Sequence, residues 1–237
     1  MTSSSPSTAT TRNSMTCRHY KIMKSINVPY IEGLESLTFQ EMGKAMEIHA
    51  AKDFISTVNW QEYPYRPAVS FSIARSDSHI VIMYSVRGLD LRAAALEDNG
   101  PVWEDSCCEF FMSHPSDGTY YNFELNCIGT LLASKRRSRN DADMFTQEQL
   151  DRIIRHTTLE RKHTEEAGEI RCWDVAMCIP FNLIGLDAEA LPESIRANFY
   201  KCGDKTAHPH FLSWNPIDLP KPDFHRPEFF GELRFGR

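Results

Sequence analysis

Apolar and polar positions along the chain mostly alternate. In Ala68 to Ala74, Val69, Phe71 and Ile73 fall on one side, with small or polar partners on the other. That period predicts a strand with one buried face. His79 to Val86 is a run rich in Ile, Val and Met, as expected of a strand covered on both faces. Cys107 to Met112 predicts another short strand, and Tyr120 to Cys127 with Thr130 to Ala133 predicts a hairpin around Ile128-Gly129. In Ile170 to Ile179, Trp173, Val175, Met177 and Ile179 alternate with Asp174, Ala176 and Cys178. Ile195 to Cys202 and Glu232 to Phe235 complete the set. Short strands at this frequency predict an all-β protein, an antiparallel β-sandwich of jelly-roll-like type. A βαβ fold needs long amphipathic crossovers, and the chain has few.

One or two short helices accompany the strands. Leu34 to Ile48 has a loose helical spacing interrupted by Gly43. Thr146 with Gln149 forms a capping-box pattern ahead of Leu150, Ile153 and Ile154. Tyr63-Pro64-Tyr65-Arg66-Pro67 favours an extended entry. The basic run Lys135 to Arg139, followed by Asp141 and Asp143, reads as a solvated loop. From His208 onward the chain holds five of its 13 prolines, so this part reads as a long loop over a rigid scaffold. Residues 1–19 read as a Ser/Thr-rich disordered leader and 20–237 as a single domain.

Composition narrows the classes. Hydrophobic residues make up 41% of the 237 and charged residues 24%, as in an ordinary globular domain. No apolar run approaches the ~18–20 residues that span a bilayer, so no membrane partner is expected. The net charge of -6 argues against a nucleic-acid partner. Seven cysteines without a C-x-x-C pair read as small buried hydrophobes in a reducing compartment. Residues 1–16 contain no apolar signal segment, so a cytoplasmic location is expected, or export if the true start differs.

Candidate chemistry concentrates on two strands. In Tyr120 to Cys127, one face is Tyr121, Phe123, Leu125 and Cys127, and the other is Tyr120, Asn122, Glu124 and Asn126. On Cys107 to Met112, Glu109 shares a face with Cys107 and Phe111. A carboxylate flanked by Cys108 and Phe110 is costly unless paired or exposed in a cleft. The polar face is then either a satisfied structural surface or a platform for a hydroxyl-rich ligand. Trp103, after the turn Asn99-Gly100-Pro101, either caps the core or stacks on a sugar ring. Phe224 and His225 lie between Pro222 and Pro227. Glu109 and Glu124 could also form the carboxylate pair of a glycosidase. His208-Pro209-His210 with Asp204 and Asp218 is a weaker metal candidate. No P-loop, dinucleotide fingerprint or G-x-S-x-G is present.

Three stretches resemble carbohydrate-binding module family 9, in its stand-alone bacterial form. They are Val102-Trp103-Glu104-Asp105-Ser106-Cys107-Cys108-Glu109-Phe110-Phe111, Asn198-Phe199-Tyr200-Lys201-Cys202-Gly203-Asp204, and Ser213-Trp214-Asn215-Pro216 with the segment Phe224 to Phe235. The resemblance covers residues 55–237. It implies a β-sandwich that binds a mono- or oligosaccharide without cleaving it, between two stacking aromatics. Trp103 matches the first aromatic, Phe224 stands where the family has a second tryptophan, and Glu109 matches a sugar-binding glutamate. Glu124, Lys201 and Pro222 depart from the family's arginine, glutamine and asparagine. The expected site is therefore Trp103, Glu109, Glu124, Asn126, Lys201, Phe224 and His225, with Glu124 and Lys201 pairing across a cleft floor. No catalytic or metal-binding residue is expected. The family's structural calcium is allowed by the resemblance, although the chain has no dense Asp/Asn loop. The alternatives are a glycoside-acting enzyme using the glutamate pair, and a sandwich that has lost its ligand and serves as a structural or interaction module.

Overall fold

A computed structural model describes residues 23–114 and 116–236. The expected leader at 1–19 lies outside the described residues. The strands are β1 (Ser25–Val28), β2 (Ala51–Phe54), β3 (Thr57–Val58), β4 (Ala68–Arg75), β5 (His79–Ala93), β6 (Cys107–Ser113) and β7 (Tyr120–Asn126). They continue with β8 (Leu131–Ser138), β9 (Asp141–Met144), β10 (Ile154–Thr157), β11 (Thr164–Pro180), β12 (Ser194–Cys202), β13 (Phe211–Ser213) and β14 (Gly231–Phe235). Helices α1 (Phe39–His49) and α2 (Gln147–Asp151) interrupt them.

Two sheets form. The larger runs β1-β14-β12-β6-β7-β8-β9, with β13 pairing β12 and β3 beside it; the smaller runs β10-β11-β5-β4-β2. Pairing is antiparallel except for β1 against β14, which is parallel. The inner faces bury one aromatic-rich core between the sheets. Its centre is Phe199 on β12, stacked at 3.8 Å on Phe71 of β4 and flanked by Phe110 and Trp214.

Each sheet also has a covered outer face. Helix α1 lies on the smaller sheet through Met42 and Met46, against Ala74, Val81, Ala176 and Cys178. Thr38 caps it: its hydroxyl accepts from Glu41 N at 3.3 Å, and Glu41 reaches back to Thr38 N. This reciprocal cap carries the helix through Gly43. The outer face of the larger sheet is partly covered by Trp60 and the C-terminal loop, through Ile217, Phe224 and Phe230. No helix among the described residues is long and apolar enough to cross a membrane.

Two sequence expectations change. The run Lys135 to Arg139 is not a loop, because β8 extends to Ser138, in register with β7 and β9. The helix after Thr146 ends at Asp151, and Ile154 opens β10 instead, paired to β11. Tertiary pairing overrides the helical spacing of Leu150, Ile153 and Ile154.

Gly231 shows how tightly the loop layer is fitted. A Cβ there would collide with the Trp214 ring and approach the Lys24 carbonyl to 2.8 Å. Gly231→Ala should therefore cost about 1–3 kcal/mol or more through overpacking, read as a lowered urea midpoint at unchanged slope.

Candidate functional site

The site is built on the outer face of the larger sheet. Antiparallel register places Tyr200, Glu109, Glu124 and Leu132 in one row across β12, β6, β7 and β8. The adjacent row is Cys202, Cys107 and Asn126. These residues share a face because side chains alternate with period two. Over this floor lies a cavity of about 550 Å³. Trp103, Tyr63, Phe211, Phe224 and His225 supply its aromatic lining. Glu109, Glu124, Asp204 and Asp223 line it with Arg136, Arg139 and Lys221.

Trp103 sits on a one-turn 3-10 helix, Val102–Glu104, and is 38% exposed. The turn is held from beneath by Asp105, which is fully buried. Asp105 accepts from Ala94 N and Ala95 N at 3.0 Å, from Asn126 Nδ2 at 3.0 Å, and from Arg92. Asn126 is thus a strut under the turn that carries Trp103, and it does not line the cavity.

Phe224 lines the same cavity as Trp103 but is only 8% exposed. One of its ring faces is already occupied by Tyr200, stacked at 4.1 Å and 6°. Tyr200 Oη also donates to the Phe224 carbonyl at 3.2 Å, fixing the loop. His225 lies beside it, 3.1 Å from Tyr120 Oη through Nδ1. Burial, with Arg136 and Arg139 nearby, pushes the His225 pKa down to about 3, so this imidazole is neutral at physiological pH.

The two glutamates are directly opposed across β6 and β7 and are 3% and 5% exposed. Glu124 Oε1 accepts from Asn122 Nδ2 at 2.9 Å. Glu109 Oε1 accepts from the Cys202 thiol at 2.9 Å. Burial raises both carboxyls: Glu124 to about 7, and Glu109 well above its usual range, helped by Cys202 and Glu124. Asp204 rises to about 6, through burial and the nearby Glu104.

Lys201 is a correction. It does not line the floor and does not pair with Glu124. It is 2% exposed and lies on the Phe199 side of β12, among the groups between the sheets. Its Nζ donates to the Cys202 carbonyl at 2.6 Å and to His210 Nε2 at 2.9 Å, and sits 5.9 Å over the Trp173 ring. His210 Nδ1 faces the His208 carbonyl at 2.8 Å, which only accepts, so Nε2 is the acceptor toward Lys201. Period two from Tyr200 and Phe199 already implied this placement.

The weaker metal candidate does not assemble either. His208 pairs with Asp90 at 2.8 Å and His210 with Lys201. Among the described residues, the metal-ligating groups that come together are Cys107, Glu109 and Cys202. Two thiols make this a soft donor set, which does not fit calcium.

Sequence reasoning leaves Arg136, Arg139 and Cys202 out of the site and names Asp204 only as a metal candidate. Arg136 follows Leu132 and Ser134 on the site face of β8, and its Nε donates to Asn122 Oδ1 at 2.9 Å. Continuing the alternation past Ala133 would have found it. Arg139 reaches Asp223 of the loop at 3.4 Å, a contact with no local signal.

Together these features define a β-sandwich with a concave, aromatic-rimmed and carboxylate-floored recess on one sheet face. The pattern described as carbohydrate-binding family 9 matches residues 41–235, and the chain belongs to that family. A Bacteroides uniformis protein whose carbohydrate binding is itself inferred is 38% identical, with a TM-score of 0.84 over 91% of this chain and all of that one. Two structures of a family 9 module from Caldicellulosiruptor kristjanssonii share the fold. The one with glucose is 12% identical at a TM-score of 0.52, covering 90% of this chain and 96% of that one. The one with cellotriose is 13% identical at 0.53, covering 90% and 95%. No curated protein matches the chain.

Proposed function

We propose that the protein holds a sugar, without cleaving it, in the recess between Trp103 and Phe224. The observation that carries this reading is a partly exposed indole on the rim of the same cavity that buried carboxyls floor. An indole face matches the apolar axial side of a pyranose, and carboxyls and guanidinium groups match the hydroxyls at its edge. The glucose and cellotriose complexes of the Caldicellulosiruptor module support this ligand class. Trp103 is the main stacking surface, because Tyr200 occupies one face of Phe224. Glu109 and Glu124, when protonated, donate as well as accept. Arg136 and Arg139 add donors at the β8 end.

The placement of the two glutamates supports binding without turnover. Catalytic carboxylates of glycosidases flank the scissile bond. Glu109 and Glu124 are cross-strand neighbours on one floor and approach a ligand from the same side.

Titration calorimetry against glucose, cello-oligosaccharides and a panel of other monosaccharides tests the reading. Saturable binding by at least one sugar is expected. Trp103→Ala should weaken it by about 2 kcal/mol, roughly 30-fold, with the urea midpoint unchanged. No heat from any member of the panel would refute the proposal.

A further inference from the structure

The cavity floor holds two thiols beside Glu109 that the sugar reading does not use. Cys107 on β6 and Cys202 on β12 are directly opposed across the antiparallel pair, and both are free thiols. Glu109 lies two residues beyond Cys107, hence on the same face. One ligand atom from each of the three lies within 4.8 Å of the others. All three side chains are buried on two adjacent strands, a stiff frame. Cys202 and Glu109 also line the cavity, so the cluster is open on one side.

We propose that Cys107, Cys202 and Glu109 bind one thiophilic divalent cation, zinc, with the fourth coordination position open to the cavity. Tetrahedral zinc with bonds of about 2.3 Å to sulfur and about 2.0–2.2 Å to oxygen needs ligand atoms roughly 3.5–3.8 Å apart. The observed cluster, with its ligand atoms all within 4.8 Å, meets this with side-chain adjustments of about 1 Å or less, among them an opening of the 2.9 Å Cys202–Glu109 contact. The surroundings of Glu109 are a second observation that favours a cation. Its carboxyl is buried, and among the described residues its one hydrogen-bond donor is a thiol, with no ion pair. A buried carboxylate with so weak a partner is costly. A cation would replace the proton held between Cys202 and Glu109. Soft sulfur ligands select zinc over calcium or magnesium.

The binding step is a proton exchange with no redox change. Zinc bonds to both sulfurs and to one Glu109 oxygen, while the thiol protons, and any proton on Glu109, leave to solvent. Two thiolates and a carboxylate leave a net charge of −1 on the site, with Arg136 and Arg139 on the same cavity wall. The open position would take water or a hydroxyl of whatever fills the recess.

The test uses the full chain, reduced with a phosphine and without sugar, so it reads independently of the carbohydrate proposal. Cobalt(II) is titrated as a spectroscopic substitute and then displaced with zinc. One equivalent should bind, with thiolate-to-cobalt absorption in the near ultraviolet and tetrahedral bands in the visible. Calorimetry in buffers of different ionisation enthalpy should show proton release. Cys107→Ser and Cys202→Ser should each weaken binding by at least roughly 100-fold, since even outer-shell partners contribute 10–100-fold. Cys172→Ser, at an exposed site outside the cluster, should leave binding unchanged. Glu109→Gln, nearly isosteric, should weaken binding while keeping the thiolate band, which covers the case of a serine variant that does not fold. Folded protein with no thiolate band, or a band that survives in the Cys107→Ser/Cys202→Ser double variant, would overturn the site.

Discussion

Phe199→Ala should lower the unfolding free energy by about 3–5 kcal/mol, the largest stability effect expected from a single truncation here. Phe199 is fully buried, stacks on Phe71 of the opposite sheet at 3.8 Å, and touches Phe110 and the edge of Trp214. Removing the ring leaves a cavity where four aromatics meet between two sheets held in register by hydrogen bonds. The neighbours cannot move in without shifting a strand, so collapse is limited. Urea unfolding should show a lower midpoint with an unchanged slope. Phe199→Leu, which retains most of the volume, should cost clearly less. A loss under about 1 kcal/mol for the alanine variant would mean that the sheets are not packed through this residue.

Glu124→Gln should stabilise the protein in mildly alkaline solution and have little effect in acid. In the folded protein the Glu124 carboxyl has a pKa of about 7, against a reference value of 4.5. Burial is the main cause, and Asn122 and Arg136 act in the opposite direction. A raised carboxyl favours the protonated form in the fold, so stability is lost as pH rises through the window from 4.5 to about 7 and stays lost above it. The loss is on the order of 3 kcal/mol at pH 8.5. Glutamine is uncharged and keeps an acceptor oxygen for Asn122. The variant should therefore exceed the parent by about that amount at pH 8.5 and converge with it near pH 4.5. Thermal or urea unfolding across that range, with a chelator present, reads the difference. Glu109 and Asp204 face the same recess and are shifted in the same direction, so the parent's own stability should also decline toward alkaline pH. Two buried histidines, His210 and His225, carry lowered values, and they erode stability as pH falls below about 6.5. A variant advantage that is independent of pH would contradict the buried, charged origin of the effect.

Strand alternation divides β6 and β7 into the inner and outer faces that the structure shows. Cys108, Phe110 and Met112 pack between the sheets, and Cys107 and Phe111 lie outside. The capping boxes at Thr38 and Thr146 are both formed, although at Thr38 only the loose helical spacing drew attention. The motif around Trp103 marked the correct turn. By contrast, the match to a family position puts Lys201 on the floor, against the period of its own strand. Asn126 lies on the correct face, but it is held by Asp105 and does not meet the recess.

What the sequence determined by itself was local: which segments extend, which face of each strand is apolar, and which aromatic rides on a turn. Backbone geometry sets the period, and the side-chain pattern answers to it within a few residues. Tertiary structure alone decided which strands neighbour each other and hence which side chains share the recess. The pairing of β12 with β6, some ninety residues apart in the chain, puts Cys202 opposite Cys107 and next to Glu109. The C-terminal loop brings Phe224 onto Tyr200 of β12 and Asp223 to Arg139, just past β8. Such contacts arise from burying two sheets and a loop at once, and no residue's immediate neighbours carry that information.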